Sequence, residues 1–387
     1  MKQASLGARI GPLIAGQVFL HGSMAGMRMA APLLALQQGY GNAGAGVLVA
    51  LFSLIQVFVS LPAGRFADRH GFKRPMRWCV VMACSGLLAA VAWPIFPVLC
   101  VTALCCGGAV GCAAIAMQRH VGRVAQTPGE LGRAFSLAGL APAGANMLGP
   151  LVAGLLIDHA GFRAAFAALA VLPLLAWLLA RGVRDDGGTP ASSGTRPGTG
   201  WDLLTVPHMR RLMFMNVLIT SAWDFHAFMV PVLGHDRGIS ASGIGTILGC
   251  FAAAVALVRF LVPAALRHAR EWRLITVAAA AVGGILLVYP FARSVPAMAV
   301  LSTLLGIAAG AVQPMALTLL HYISPPHRRG EAMAMRIMFS NSTGVLMPML
   351  LGAAGGLLGA SGVFWLMGSL VVAGSRFGTG LRGVEPE

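Results

Sequence analysis

The stretch SAWDFHAFMVP, Ser221 to Pro231, places an aspartate and a histidine in the middle of a long apolar run. Asp224 is the one acid set deep in such a run; the other eleven occupy loops, termini or the ends of runs. A carboxylate out of water calls for a cation, a proton or a polar pathway. Burial favours its neutral form and a neighbouring guanidinium its charged form, so a change of surroundings can load and unload one proton. Asn216 and Thr220 precede Asp224 at intervals of four and share its helical face. In the first apolar run Gln17, His21 and Arg28 share another face, at spacings of four and seven. Asp224 and Arg28 are therefore the expected proton-coupling residues. The plainer alternative, an ion pair that fastens helices, is weakened because desolvation can cancel the attraction of a buried pair. Expected solute contacts are Arg28, His21, Gln17, Thr220, Trp223 and His226, with Gln313 and Asn341 from later runs. His226 turns nearly opposite to Asp224 on an ideal helix, so a helix-interface histidine is an equal reading. Arg28, Arg259 and Arg336 outnumber the lone acid, which points to an anionic or zwitterionic solute.

The elements that must position these residues are membrane helices. Of 387 residues, 57% are hydrophobic and 10% charged, more apolar surface than a soluble chain of this length can hide. Runs of about 20 residues span a hydrocarbon core as helices, whose backbone groups bond within their own segment. Twelve crossings are expected near 10–36, 43–63, 78–96, 98–118, 132–157, 162–181, 210–234, 241–266, 273–291, 296–320, 331–357 and 361–380. The net charge of +16 does not indicate nucleic acid, because its placement is one-sided. Nearly every Lys and Arg falls in loops of one parity, leaving Arg163, Arg237 and Arg293 on the other side. That asymmetry places both termini in the cytoplasm, with the chain in the cytoplasmic (inner) membrane. The N-terminal run continues past Arg28 to Leu36 without a cleavage site, and reads as an uncleaved first crossing. Seven cysteines lie in apolar spans with no CxxC pair and read as packing rather than metal ligands or disulfides.

The chain also repeats itself. At an offset of 199, Pro32, Leu34, Gly39, Gly44, Gly46 and Phe52 fall on Pro231, Leu233, Gly238, Gly243, Gly245 and Phe251. At 198, Gly132, Ala134, Leu148, Pro150 and Gly154 fall on Gly330, Ala332, Leu346, Pro348 and Gly352. This predicts two parallel six-helix bundles, 1–182 and 209–387, joined by a Gly, Ser, Thr and Pro-rich cytoplasmic linker over 183–208.

The loop after the second crossing, GRFADRHGFKR from Gly64 to Arg74, resembles the loop 2–3 signature of the major facilitator superfamily, G-x-L-x-D-R-x-G-R-K. Gly64, Asp68, Arg69, Gly71 and Lys73 match, while Phe66 and Phe72 replace the usual Leu and Arg. The resemblance implies an all-α membrane protein of twelve transmembrane helices in two pseudo-symmetric bundles. It also implies a latch of Asp68 against the start of the eleventh crossing, with Arg336 nearby. On physical grounds Gly64 permits close helix approach, Gly71 a turn with positive φ, and Asp68 suits a helix N-terminus. The fifth crossing carries AGANMLGPLVAG, Ala143 to Gly154, similar to the antiporter signature G-x-x-x-G-P-x-x-G-G of the same superfamily at Gly149, Pro150 and Gly154. A close-packed, proline-bent interface of small residues explains those positions equally.

These readings converge on proton-driven efflux of a small organic compound, anionic or amphiphilic, by a monomer that uses the proton gradient and no cofactor. Proton-coupled uptake of an organic anion or metabolite is the alternative, and a sensor or scaffold that transports nothing the remote one. Enzymatic readings lack support. GASG from Gly359 superficially resembles a rhomboid protease motif, but no histidine follows His327, and HExxH and Walker sequences are absent.

Overall fold

The computed structural model describes residues 6–124, 138–183, 201–265, 271–324 and 329–382. These form ten α-helices and short 3₁₀ segments, with no strand among the described residues. In chain order they are α1 (Leu6–Gln37), α2 (Gly41–His70), α3 (Lys73–Ala92), α4 (Phe96–Val124) and α5 (Leu140–Ala180). Then follow α6 (Pro207–Asp236), α7 (Ala241–Ala265), α8 (Glu271–Val288), α9 (Val295–Ile323) and α10 (Arg329–Ser375). Ten segments among the described residues are long and apolar enough to cross a membrane. One of them, within α5, breaks at Gly161 into two limbs. With those limbs counted separately and α1 included, the elements match the twelve expected crossings. α1 falls short on hydropathy because it carries Arg9, Gln17, His21 and Arg28. Most of the expected linker, residues 184–200, lies outside the described residues.

Glycine makes the sharp reversals. Gly161 (φ 81°) and Gly359 (φ 69°) end one limb and begin the next, and the offset of 198 puts one on the other. Gly39 (φ 85°) and Gly238 (φ 66°) close the turns into α2 and α7, again in repeat register. An L-residue at such φ strains the backbone, which makes glycine the natural choice.

The chain clusters into two compact units, each taking a short piece from the other sequence half. Unit 1 comprises Met1–Tyr40, Leu51–Ser192 and Ser240–Gly249; unit 2 comprises Gly41–Ala50, Ser193–Ile239 and Cys250–Glu387. Within unit 1, α1 packs on both limbs of α5: Gly16 faces the Ala176 carbonyl, while Gly22 and Gly26 face Gly149. A Cβ on Gly107 would come 2.9 Å from the carbonyl carbon of Phe52, so α4 lies against the backbone of α2. The start of α7 crosses the first limb of α5, with Gly245 over Pro150 and Gly154 over Ala241. Unit 2 repeats these crossings at the offset positions: Gly306 on Phe251, Gly46 on Pro348 and Gly352 on Asn42. Small residues substitute for side-chain interdigitation where lipid supplies no hydrophobic drive to bring helices together.

Candidate functional site

Asp224 occupies α6 within unit 2 and is 7% exposed. Its Oδ2 accepts a hydrogen bond of 3.1 Å from the Thr343 hydroxyl of α10. The same hydroxyl lies 2.8 Å from the Ser340 carbonyl oxygen. About two turns back, Asn216 donates from Nδ2 to Ser340 Oγ at 3.1 Å, and Arg336 donates to Asn216 Oδ1 at 3.4 Å. Residues 336, 340 and 343 follow helical spacing and present one face to residues 216 and 224. A polar ladder therefore runs between α6 and α10 in two hydrogen-bonded parts, Arg336–Asn216–Ser340 Oγ and Ser340 carbonyl–Thr343–Asp224, which meet only at the residue Ser340.

Two members of this ladder, Thr343 and Arg336, leave hydrogen-bonding options open. Thr343 has one hydroxyl proton for two acceptors, so the charge on Asp224 decides which is served. Arg336 keeps a single long bond, and its Nε is buried with no hydrogen-bond partner among the described residues. A buried guanidinium left in this way is suited to a further anionic or carbonyl partner.

The remaining sequence candidates are distributed as follows. Thr220, between Asn216 and Asp224, is half-buried, and Trp223 sets its ring edge-on to Phe251 at 4.7 Å. In unit 1, Gln17 is buried while His21 and Arg28 are half-buried on α1. Asn341 is half-buried and Gln313 exposed. Ser340 and Thr343, one residue before Asn341 and two after it, are the α10 hydroxyls that join the ladder. Sequence reasoning passed over these two hydroxyls, although their spacing from Arg336 would have placed them on its face.

His226 belongs to a different cluster. It is 0% exposed, and its Nε2 lies 2.9 Å from Ser302 Oγ of α9. The Tyr289 hydroxyl, 2.8 Å from the same Oγ, completes a buried His–Ser–Tyr chain. Phe251 lies over the imidazole at 4.4 Å, and Phe364 stacks on Tyr289 at 4.9 Å. The expected solute contact is thus replaced by an enclosed helix-interface histidine, because two residues along α6 turn it away from Asp224.

In the loop between α2 and α3, Gly71 has φ 73° and donates its N–H to the Ala67 carbonyl, the turn expected of it. Arg69 is exposed and Lys73 half-buried. The side chain of Asp68 lies outside the described residues. At Gly64 a Cβ would meet nothing within 4 Å among the described residues, so they show no close helix approach there. Close approach occurs instead at the fifth-crossing motif. A Cβ on Gly149 would come 2.6 Å from the Gly22 carbonyl oxygen, and one on Gly154 2.7 Å from the Ala241 carbonyl carbon. Pro150 itself faces Gly245. Just beyond the motif, Asp158 accepts from the backbone N–H groups of Ala241 (2.9 Å) and Ser242 (2.8 Å), capping α7.

Comparison with known proteins gives a consistent fold. The family model described as Major Facilitator Superfamily matches residues 13–212 and 212–386. A POT family transporter solved in complex with 5-aminolevulinic acid is 12% identical, with TM-score 0.78 and 96% of each chain covered. The nucleoside transporter NupG is 14% identical at TM-score 0.77, over 98% of this chain and all of that one. The human organic anion transporter MFSD10 is 15% identical at TM-score 0.68, over 97% and 100%. At such identities the likeness shows the fold alone.

Proposed function

Since the chain belongs to the major facilitator superfamily and is a multi-pass membrane transporter rather than an enzyme, we propose that it couples proton movement to the export of a small organic anion or amphiphile by alternating access. The observation that carries this reading is the ladder ending on Asp224. With Asp224 ionised, the Thr343 proton is donated to the carboxylate. With Asp224 protonated, its new O–H donates to Thr343 Oγ1, and the Thr343 proton turns to the Ser340 carbonyl, 2.8 Å away. One proton bound thus changes the bonding of the ladder that leads to Asn216 and Arg336. A solute carboxylate held by Arg336 would lie on the same face of α10 as that change, with Ser340 as the residue common to both parts of the ladder.

The solute's charge is inferred from cations in excess of acids inside the apolar spans, and from the unfinished guanidinium of Arg336. Export rests on the resemblance of the fifth crossing to an antiporter signature. Arg28, His21 and Gln17 on α1 are proposed as further solute or proton contacts. Charge asymmetry supports an inner-membrane location with both termini cytoplasmic, and a monomer is sufficient for the mechanism. The organic anion transporter and the 5-aminolevulinic acid complex among the similar folds handle carboxylate-bearing or anionic solutes by their names, in keeping with this choice.

The test uses purified protein in vesicles loaded with a pH-sensitive dye. A panel of aromatic carboxylates is added, with ethidium as cationic control. Carboxylate-dependent proton movement is expected in the native protein and absent in Asp224→Asn at equal reconstitution. Coupling of native strength in Asp224→Asn would remove the carboxylate from the role.

A further inference from the structure

Away from the ladder, α2, α3 and α4 of unit 1 enclose an apolar slot of about 360 Å³. Its walls include Ala63 and Phe66 of α2, Trp78, Val81 and Met82 of α3, and Cys112 of α4. Among the described residues no charged side chain and no hydroxyl lines it, a lining suited to hydrocarbon. It opens on an outer face: Trp78 is 60% and Val81 52% exposed. Arg74, Trp78, Val81, Ser85 and Leu88 follow helical spacing, and all five are exposed. That stripe passes from a cation, through an indole, to aliphatic carbon along one side of α3. The same gradient describes a lipid from headgroup to tail.

The sequence that supplies the slot's helices is strongly one-sided in charge. Between residues 41 and 124 the sequence holds seven Lys and Arg but a single acid, Asp68. Arg74 and Arg77 are exposed, and neither makes an ion pair or side-chain hydrogen bond among the described residues. An apolar cavity does not retain water. In a bilayer an acyl chain is the available filler, and basic residues at the membrane edge select anionic headgroups.

We propose that this slot is a binding site for an anionic phospholipid, with one acyl chain between α2, α3 and α4 and the headgroup phosphate on Arg74 and Arg77. The indole of Trp78 lies at the junction of tail and headgroup, a depth that suits its amphipathic ring. The site is independent of the solute ladder, which lies wholly in unit 2.

Trp78 is also the reporter that tests it. The protein is reconstituted in vesicles containing, at equal mole fraction, phosphatidylglycerol or phosphatidylcholine brominated on the acyl chains. Tryptophan quenching is recorded, and the share due to Trp78 is the difference between native protein and Trp78→Phe. That share is expected to be quenched several-fold more by the brominated phosphatidylglycerol. Arg74→Gln with Arg77→Gln should bring it down to the phosphatidylcholine level, and Ala63→Phe, which fills the slot, should lower quenching by both lipids. Equal quenching by the two lipids in native protein, or a preference that survives loss of both arginines, overturns the proposal. Should Ala63→Phe fail to fold, the arginine pair at exposed positions still decides.

Discussion

Gly144→Ala and Gly154→Ala are the same change on the same limb of α5, and the structure assigns them opposite signs. In an unobstructed helix, alanine is favoured over glycine by about 0.5–1 kcal/mol, through reduced freedom of the unfolded chain. At Gly144 a new Cβ meets only a Val18 methyl at 3.8 Å, an ordinary contact, so that gain is expected nearly in full. At Gly154 the Cβ would lie 2.7 Å from the Ala241 carbonyl carbon and 2.9 Å from the Ser242 Cα. Comfortable carbon contacts are about 3.5–4.0 Å, so one backbone must retreat by about 1 Å. Overpacking of this kind costs about 1–3 kcal/mol, and the propensity gain offsets only part of it. The retreat also pulls Ala241 and Ser242 from Asp158, whose capping bonds are worth about 0.5–2 kcal/mol. Gly154→Ala should therefore destabilise by about 1–2 kcal/mol, and with Asp158→Ala the losses should fall short of additive, since the first change already loosens the cap. Reversible unfolding in mixed detergent micelles measures all four variants. A Gly154→Ala protein as stable as the native one, or a double variant additive within about 0.3 kcal/mol, would refute the reasoning.

Two further expectations rest on the polar clusters of unit 2. Thr343→Val removes a hydrogen bond to a charged group, worth about 1.5–3 kcal/mol, so solute-driven proton movement should slow about tenfold or more, whereas Thr343→Ser should retain most of it. In the His226 cluster, Ser302→Ala strands the imidazole Nε2 and leaves the Tyr289 hydroxyl only its long, 3.5 Å bond to the Met298 carbonyl, but Tyr289→Phe leaves the Ser302–His226 bond intact. Unfolding should show the serine variant losing more, about 1–3 kcal/mol, with proton coupling preserved in both; lost coupling in a folded Ser302→Ala protein would return His226 to the transport site.

Periodicity alone exposed the α6 half of the ladder, because Asn216, Thr220 and Asp224 are conspicuous polar residues at one spacing in an apolar run. The α10 half was hidden for a chemical reason. Serine and threonine hydroxyls in helices commonly bond the carbonyl three or four residues back, as Thr343 does with Ser340, so in sequence they pass for neutral filler. Asn341 drew notice through its amide, yet the phase set by Arg336 selects Ser340 and Thr343, four and seven residues on. Asp158 was unreadable for a different reason: its partners lie 83 and 84 residues away, and nothing local marks an acid at a helix end as a cap for another helix. His226 was resolvable only as far as direction, since facing away from Asp224 leaves open what it faces.

The internal repeat separates what holds the protein together from what makes it act. Where the offset pairs glycine with glycine, the halves make the same contacts: Gly46 on Pro348 mirrors Gly245 on Pro150, and Gly107 on Phe52 mirrors Gly306 on Phe251. Such crossings depend on backbone meeting backbone, and drift at them is punished in either half by a steric clash. The chemistry sits where the repeat is broken. An offset of 199 lays Gln17 and His21 over Asn216 and Thr220, polar on polar, but Ala25 over Asp224. An offset of 198 lays Ala145 over Thr343, Ala138 over Arg336 and Asp158 over Gly356. The carboxylate, its hydroxyl partner and the ladder's guanidinium all stand opposite alanine in the equivalent place, so the ladder is confined to one half of a repeated scaffold. The cap at Asp158 is likewise confined to one half.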